Sequence, residues 1–581
     1  MTSFRLLTLV VLLAPAYAAA GPAEDLARLL ADAWAWELRE NPVRASRLGE
    51  RRYDDRWRDM SLAAIERRER EQRAFMERLR AIDPEALGDE DRLNYELFRR
   101  QLENDLDAFR FRTYLMPVSH RGGVQNLESL AEALPFTTLE HYEDWLARMA
   151  AVDTVLEQAR ALMEQGRRAG YVPPRILMER VPAQLEAQLV DRPEDSPFYA
   201  VFERIPASLP AAEAERLEEA ARTLIENEIV PAYREFDRYF RTTYLPACRD
   251  SIGASELPYG DELYRFLVRS YTTTDMTPDQ VHRLGLDEVA RIRGEMEAII
   301  EELEFEGSFR DFLEHLRTDP RFYYEDPEEL LEAYRATAKR IDPELVRLFG
   351  KLPRTPYGVR PIPDAVAPDT TTAYYSRPAA DGSRPGWYYV NLYRPEMRPK
   401  YEIEVLTVHE AVPGHHLQIA LAQELVGLPE FRKYSGFTAF VEGWGLYSET
   451  LGPALGLYRD PYSRFGALTY EMWRAVRLVV DTGIHAKGWT RQQAIDFFLD
   501  NAAKTELDIV NEIDRYIGNP GQALAYKIGQ LKISELRARA ETRLGERFDI
   551  RAFHDHLLGA GALPLDVLER RMDAWIRQQA R

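Results

Sequence analysis

The sequence predicts a mainly α-helical protein with a small β-sheet beside a helix that carries a cluster of histidines. Across residues 24–350, apolar residues recur at spacings of three and four among many charges, which is the pattern of amphipathic helices. Across 350–400 prolines cluster, and two runs rich in aromatic and β-branched residues follow. From about residue 401 to the end the helical pattern returns.

The N-terminus differs from the rest of the chain. An apolar run over 6–13 follows a positive charge and precedes small residues over 14–20. We expect residues 1–20 to be a signal peptide cleaved near Ala18 or Ala20, because the run is too short to span a bilayer. The expected mature protein is secreted or periplasmic and has no membrane anchor.

Composition limits the possible functions. The 581 residues carry a formal net charge of −20, which argues against nucleic-acid binding, because nothing in the sequence supplies the basic surface that phosphate binding requires. Cys248 is the single cysteine, so the chain has neither an intramolecular disulfide nor a cysteine zinc site. Any metal must therefore be held by carboxylates and by some of the ten histidines.

The helical region shows no internal repeat and no linker. We divide the mature chain into a helical region, 21–350, and a region with the sheet and the C-terminal helices, 351–581, which together form one continuous domain. The clearest helical segments are 63–82, 139–166, 211–242 and 278–304. The two strand-like runs, 370–375 and 386–392, predict a hairpin or small sheet, and a helix beginning near Tyr401 leads directly to His409.

The segment 409–416 reads His-Glu-Ala-Val-Pro-Gly-His-His. In the zinc motif His-Glu-x-x-His, two histidines share one helical face and the glutamate beside them is the general base. Here Pro413 occupies the position of the second histidine. On a regular helix His415 would lie about 120° from the His409 face, and His416 about 10.5 Å along the axis, so neither could share an ion with His409.

Pro413 and Gly414 are expected to deform this helix, because proline lacks an N–H and glycine adopts unusual backbone angles. If the two residues form a bulge in the helix, His415 lies where the second histidine of the motif normally lies. We therefore favour His415 as the second ligand. His416 is the alternative. The histidine that is not a ligand is a candidate to hydrogen-bond substrate or a metal ligand.

A third ligand is expected from a later helix. Glu442 lies in the apolar, small-residue run 440–449, where an unpaired carboxylate would be costly. Glu449 is two turns further along the same face and is placed to orient a metal-bound histidine. A surface position for Glu442 is the alternative.

Four segments together resemble a bacterial family labelled domain of unknown function 885, and the likeness covers about residues 24–575. The segments are 409–418, 440–449, 512–516 and 520–529. That family is grouped with gluzincin-type metallopeptidases and is similar in layout to angiotensin-converting enzyme and thermostable carboxypeptidases.

The resemblance implies a helical zincin-like body with a small sheet and a deep central channel, of which region 21–350 forms one wall. It also implies Zn2+ held by His409, His415 and Glu442, with Glu410 as the general base.

The resemblance further implies a donor for the oxyanion that amide hydrolysis creates. The pair Arg515-Tyr516 resembles an Arg-Tyr pair of the angiotensin-converting-enzyme group, which gives this role to Tyr516, with Tyr526 as the alternative. Arg515 either binds a substrate carboxylate or pairs with Glu512 one turn earlier. The strand 387–392 is expected to lie along the cleft and pair with the peptide backbone.

The predicted function is an exported zinc peptidase that hydrolyses short peptides. Two alternatives remain at this point: a catalytically silent peptide-binding protein of the same fold, and a zinc amidase that acts on non-peptide amides such as cell-wall fragments. An intact Glu410 favours an enzyme, since a binding protein has no use for a general base. The direction of cleavage along the peptide is left open.

Overall fold

The computed structural model describes residues 21–364, 367–369, 371–380, 382, 384–434 and 436–581. The predicted signal peptide lies outside the described residues.

The first part of the chain is helical, as its periodicity predicts. Its α-helices are α1 (Pro22–Glu40), α2 (Pro42–Arg47), α3 (Leu62–Arg80), α4 (Asp89–Arg110), α5 (Leu139–Ala150), α6 (Val152–Ala169), α7 (Arg175–Met178), α8 (Val181–Glu186), α9 (Ala211–Leu224), α10 (Val230–Tyr239), α11 (Gly260–Thr272), α12 (Pro278–Glu302), α13 (Phe309–Thr318) and α14 (Pro327–Ile341).

Local chemistry explains where several of these helices begin. Thr277 caps α12: its hydroxyl accepts from the Gln280 N–H, the Gln280 side chain accepts from the Thr277 N–H, and Pro278 occupies the first turn. Ser61 caps α3 in a similar way. The predicted helical segment 139–166 is two helices, α5 and α6, which meet at Ala151.

A three-stranded sheet separates the two helical parts. Its strands are β1 (Tyr357–Pro361), β2 (Ala373–Ser376) and β3 (Gly386–Val390). The strand order is β1-β3-β2, with β1 parallel and β2 antiparallel to β3. The predicted pairing of two strands is therefore confirmed, whereas β1 was not predicted.

The second helical part follows the sheet. Its α-helices are α15 (Ile403–Glu410), α16 (His415–Glu424), α17 (Glu430–Tyr434), α18 (Thr438–Glu449), α19 (Pro461–Ala486), α20 (Arg491–Leu499), α21 (Glu506–Gly518), α22 (Ala525–Leu544), α23 (Ile550–Leu558) and α24 (Leu565–Gln579).

Glycines allow two pairs of these helices to pack closely. A Cβ on Gly443 of α18 would lie 2.5 Å from the Gly529 Cα of α22, and one on Gly529 would lie 1.8 Å from the Ala439 carbonyl oxygen. Gly285 of α12 likewise admits α19, because a Cβ there would lie 2.7 Å from the Leu478 Cβ. These contacts fix α18 and α19, the two helices on which most of the site described below depends.

Both helical parts share one core. A connected cluster of buried apolar side chains extends from Leu26 in α1 to Ile576 in α24. The predicted mainly helical fold with a small sheet is confirmed. Among the described residues, no helix is both long enough and apolar enough to cross a membrane.

Candidate metal centre

The helix that carries His409 is interrupted at the Pro-Gly pair. Helix α15 ends at Glu410 and α16 begins at His415. Between them the Gly414 N–H donates to the Val408 carbonyl at 2.9 Å, a span of six residues where a regular helix spans four. A Cβ on Gly414 would lie 1.9 Å from the His409 carbonyl oxygen, so only glycine fits this tight return.

This interruption brings three side chains together. Nε2 of His415 lies 3.4 Å from Oε2 of Glu442, and Nε2 of His409 lies 3.8 Å from the same oxygen. One atom from each of the three residues can be chosen so that all lie within 4.8 Å of one another. The two imidazole rings are nearly perpendicular, at 86°. His409, His415 and Glu442 thus converge on one point from three helices.

Small residues on α18 make room for this cluster. A Cβ on Gly445 would lie 2.8 Å from Cε1 of the His409 ring. Gly443, one residue after Glu442, is the position at which α18 packs against α22. The run of small residues that drew attention to Glu442 in the sequence therefore serves close packing around the histidines.

A second carboxylate, that of Glu449, contacts the ring nitrogen of His409 that faces away from Glu442. Nδ1 of His409 lies 2.7 Å from Oε1 of Glu449, and both side chains are buried. Arg474 of α19 approaches the same carboxylate at 3.6 Å. Since a carboxylate accepts hydrogen bonds, Nδ1 carries a proton, and Nε2, which faces Glu442, is the nitrogen that can give up its own proton and become an electron-pair donor to a metal.

The two carboxylates of the cluster favour a positive charge at His409. Burial alone would lower the pKa of His409, but the carboxylates of Glu442 and Glu449 raise it to about 9. Burial would raise the pKa of Glu442, but His415 and His409 hold it well below its ordinary value. A field that retains a proton at His409 also attracts a metal cation.

The three side chains lie on the wall of a cavity of about 610 Å³. Glu410, at the end of α15, lies on the same wall and is half-buried. The cavity shares Tyr374 and Tyr375 of β2 with an adjoining cavity of about 1130 Å³. Five further residues of its wall enter the argument below: Arg121, Arg477, Glu512, Arg515 and Tyr526.

His416 does not line this cavity. Its Nε2 lies 3.1 Å from the Thr355 carbonyl, so that nitrogen carries the proton, and Nδ1 accepts from the Tyr375 hydroxyl at 2.9 Å. Burial lowers the pKa of His416 to about 4. The side chain ties α16 to the sheet, and Gly386 of β3 leaves room for this contact.

The two tyrosines considered as oxyanion donors have different surroundings. Tyr516 is fully buried and is not part of the cavity wall. Its hydroxyl accepts from Trp473 and Arg477 and donates to Glu512 at 2.6 Å. Tyr526 is half-buried and lines the cavity, where burial and the nearby Glu442 raise its pKa.

Arg515 pairs with Glu512, one of the two arrangements expected for it. Its Nε and Nη2 donate to the Glu512 carboxylate at 3.1 and 2.8 Å, and its Nη1 donates to Gln522 at 2.7 Å. Burial would lower the pKa of Arg515, but Glu512 holds it well above its ordinary value.

The strand expected to pair with a peptide is in the wrong place for that role. β3 is the central strand, with β1 on one side and β2 on the other, so its backbone groups are already used. Asn391, which follows β3, is buried and donates to the carbonyls of Ala367 and Thr371. The edge strand β2 is the one that lies along the cavity.

Of the four arginines that line this cavity, the sequence analysis identified Arg515 and missed the other three. Arg474 and Arg477 lie on α19, and Arg121 comes from the far end of the chain. A signal was available in α19, where Arg474, Arg477 and Asp481 interrupt an apolar run at spacings of three and four. Such spacing places buried charges on one helical face, where they require partners.

The fold and the site define a mainly helical protein with a histidine–carboxylate cluster on the wall of an internal cavity. The chain belongs to the family described as bacterial protein of unknown function (DUF885), which matches residues 42–572. The family membership predicted from the sequence is confirmed. No curated protein matches the chain.

Two solved structures share the fold. A protein of Colwellia psychrerythraea, described as a "putative lipoprotein", is 29% identical, with a TM-score of 0.90 over 96% of this chain and 100% of its own. A protein of Shewanella oneidensis, described as a "putative lipoprotein of unknown function", is 20% identical, with a TM-score of 0.71 over 95% of this chain and 100% of its own. The second likeness shows the fold alone.

Proposed function

We propose that this protein is a zinc-dependent peptidase in which His409, His415 and Glu442 hold the metal and Glu410 is the general base. The convergence of these three side chains within 4.8 Å, on a cavity wall that also carries Glu410, is the observation that supports this proposal most strongly. To bring the three side chains together, the chain must break a helix between α15 and α16, and both helices must pack closely against α18.

The donor set fits zinc, and its three ligand atoms, which lie within 4.8 Å of one another, must move closer to hold the ion. Tetrahedral zinc with bonds of about 2 Å requires ligand atoms roughly 3.3 Å apart. The Glu442 oxygen lies 3.4 Å from one histidine nitrogen and 3.8 Å from the other, so small side-chain shifts suffice. Two histidines and one carboxylate leave one coordination position for water or substrate, as catalytic zinc sites require. When bound, zinc supplies Lewis-acid activation of the scissile amide and of the attacking water.

The protein's own residues supply the proton transfers. Glu410 accepts a proton from the attacking water and delivers it to the leaving nitrogen as the carbon–nitrogen bond breaks. The Tyr526 hydroxyl, which lines the cavity, donates a hydrogen bond to the oxyanion that forms on the carbonyl. We assign this role to Tyr526 because the Tyr516 hydroxyl already has three buried partners.

The edge strand β2 is proposed to bind the substrate backbone. Among the described strands β2 pairs only with β3, and 371–375 line the cavity, so an extended peptide can add to its free edge. This arrangement, with the sheet next to the metal helix, is consistent with a gluzincin-like layout in which the adjoining cavities form the channel. Export across the inner membrane also belongs to the proposal.

The experiment compares the wild type with Glu410→Gln. Zinc content is measured on both proteins after reconstitution, and cleavage is measured with a library of short peptides. We expect one zinc per chain in both and a loss of at least about 1,000-fold in turnover in the variant, because the general base is removed. Glu404→Gln, a half-buried carboxylate on the same helix outside the cavity, is the matched control and should retain activity.

Other outcomes identify the alternatives. Peptide binding with zinc present but no cleavage by the wild type would indicate a silent binding protein. Cleavage of cell-wall amides in place of peptides would indicate an amidase. Failure to bind zinc after reconstitution would overturn the proposal as a whole.

A further inference from the structure

Three arginines lie on the wall of the metal cavity beside one carboxylate, and two of them pair with it. Arg121, Arg477 and Arg515 line the cavity together with Glu512. Glu512 accepts two hydrogen bonds from Arg515, one from Arg477 at 3.1 Å and one from Tyr516. A carboxylate offers about four acceptor positions, so Glu512 is saturated.

Two guanidinium groups in this cluster retain unused donors. Nη1 of Arg477 is buried and has no hydrogen-bond partner among the described residues, although the side chain is only 5% exposed. The side chain of Arg121 makes no hydrogen bond or ion pair with any described residue. Burial lowers the pKa of Arg121, and the positive charge of Arg515 lowers it further, so these groups lie close together.

The charges around these arginines also indicate a site for an anion. Three arginines lie beside the one carboxylate of Glu512, whereas the other two glutamates of the cavity wall, Glu410 and Glu442, belong to the proposed metal site, and Arg474 on that wall approaches Glu449. A buried donor without a partner is costly, and Nη1 of Arg477 is one, while Arg121 is exposed on the same wall, so the pair indicates a site for a ligand that supplies an anion. The planar donors of arginine suit a carboxylate, which they bind through paired hydrogen bonds.

The arginine cluster and the proposed metal ligands line the same cavity. Arg474, three residues before Arg477 on α19, approaches Glu449, which holds His409. The Arg477 guanidinium also lies 4.3 Å from the centre of the Tyr526 ring. Arg477 therefore lies about one helical turn beyond Arg474 on α19, on the wall of the cavity that the proposed metal ligands also line.

We propose that Arg121 and Arg477 bind the free C-terminal carboxylate of the substrate, so that the enzyme cleaves short peptides from the carboxyl end. This inference rests on the proposed peptidase function. It adds the direction of cleavage and the chemical group that is recognised, neither of which the metal cluster defines.

The test separates recognition from turnover. Zinc-loaded Glu410→Gln protein is titrated with an N-acetylated neutral tetrapeptide as the free acid, with the same peptide as the C-terminal amide, and with an amide that ends in aspartate. We expect the free acid to bind about 30-fold more tightly than either amide, because a charge-assisted hydrogen-bond pair is lost in the amide. Equal binding of the acid and the plain amide would overturn the inference, and so would equal binding of the acid and the aspartyl amide.

Variants assign the effect to the arginines. Arg121→Gln should reduce the preference for the acid at least about 10-fold and leave binding of the plain amide unchanged, since the side chain has no structural partner. Arg121→Lys should restore part of the preference. The exposed Arg310, outside the cavity, provides the control Arg310→Gln, which should behave as the parent protein. A preference that survives Arg121→Gln and Arg477→Lys would contradict the assignment.

Cleavage assays on the wild type complete the design. If the acid is cleaved and the amide is not, both proposals stand. If neither peptide is cleaved but the acid is still bound preferentially, the peptidase proposal fails and the carboxylate site remains. If both are cleaved equally, the peptidase proposal stands and the carboxylate inference fails.

Discussion

Nδ1 of His409 lies 2.7 Å from Oε1 of Glu449, and both side chains are buried. This contact fixes both the rotation and the tautomer of the His409 ring, so that Nε2 points towards Glu442. The geometry of the proposed metal site therefore depends on a residue that would not itself touch the metal.

Glu449→Gln is expected to weaken zinc binding. The glutamine keeps the size of the side chain but removes the charge that orients His409, and changes of this kind reduce metal affinity about 10- to 100-fold. Competition with a chromophoric chelator measures the affinity. Glu404→Gln is the control, and an unchanged affinity for zinc in Glu449→Gln would show that the contact has no role in binding.

The two adjacent histidines of α16 are expected to respond differently to substitution. His415→Asn should lose at least about 100-fold in zinc affinity, because a ligand is removed. His416→Asn should keep its zinc and instead lower the thermal midpoint, since His416 joins Tyr375 to the Thr355 carbonyl. Zinc analysis and thermal denaturation of both variants distinguish these effects. Loss of zinc only in the His416 variant would reverse the assignment.

The two tyrosines should separate catalysis from stability. Tyr526→Phe is expected to lower kcat about 100-fold with little change in thermal midpoint, because an oxyanion donor is lost. Tyr516→Phe should destabilise the fold by about 1–3 kcal/mol, since it leaves the buried donors of Trp473 and Arg477 with one partner fewer. If kcat falls about 100-fold in the folded fraction of Tyr516→Phe and does not fall in Tyr526→Phe, the catalytic role belongs to Tyr516.

Asp481 should make stability depend on pH. Burial raises its pKa to about 7, although the Tyr264 hydroxyl and the Gly521 N–H donate to its carboxylate. The folded state then binds the proton more tightly than the unfolded state, so this stabilising contribution is complete at low pH and is lost as pH rises through the folded value.

The wild type is accordingly expected to lose about 2 kcal/mol between about pH 5 and 7 relative to Asp481→Asn, which carries no titrating group there. Urea unfolding of both proteins across this range measures the difference. A difference between the two proteins that does not change with pH would show that Asp481 is ionised throughout.

The helices were predictable because periodicity is local. Segment 278–304 corresponds to α12 almost residue for residue, and its start follows from the pair Thr277 and Gln280. Strand β1 was not predictable in this way, since it lies within a cluster of prolines and ends at Pro361. Its place depends on parallel pairing with β3, a contact between residues about thirty positions apart.

The site likewise has one part that the local sequence predicts and another that depends on the tertiary fold. Residues 409–416 lie in one short window, so their spacing alone shows that the helix must break if the histidines are to meet. The arginine cluster combines residues 121, 477 and 515, which only the tertiary fold brings together. The choice between Tyr516 and Tyr526 depends on how the chain turns between α21 and α22, and neither residue has a sequence pattern that determines it.

The most direct test of the central claim is anomalous scattering at the zinc edge from crystals grown with one equivalent of zinc. We expect one peak per chain, about 2 Å from Nε2 of His409, Nε2 of His415 and the Glu442 carboxylate. A peak held by His416 or by another group of side chains, or no peak beside Glu442, would contradict the claim.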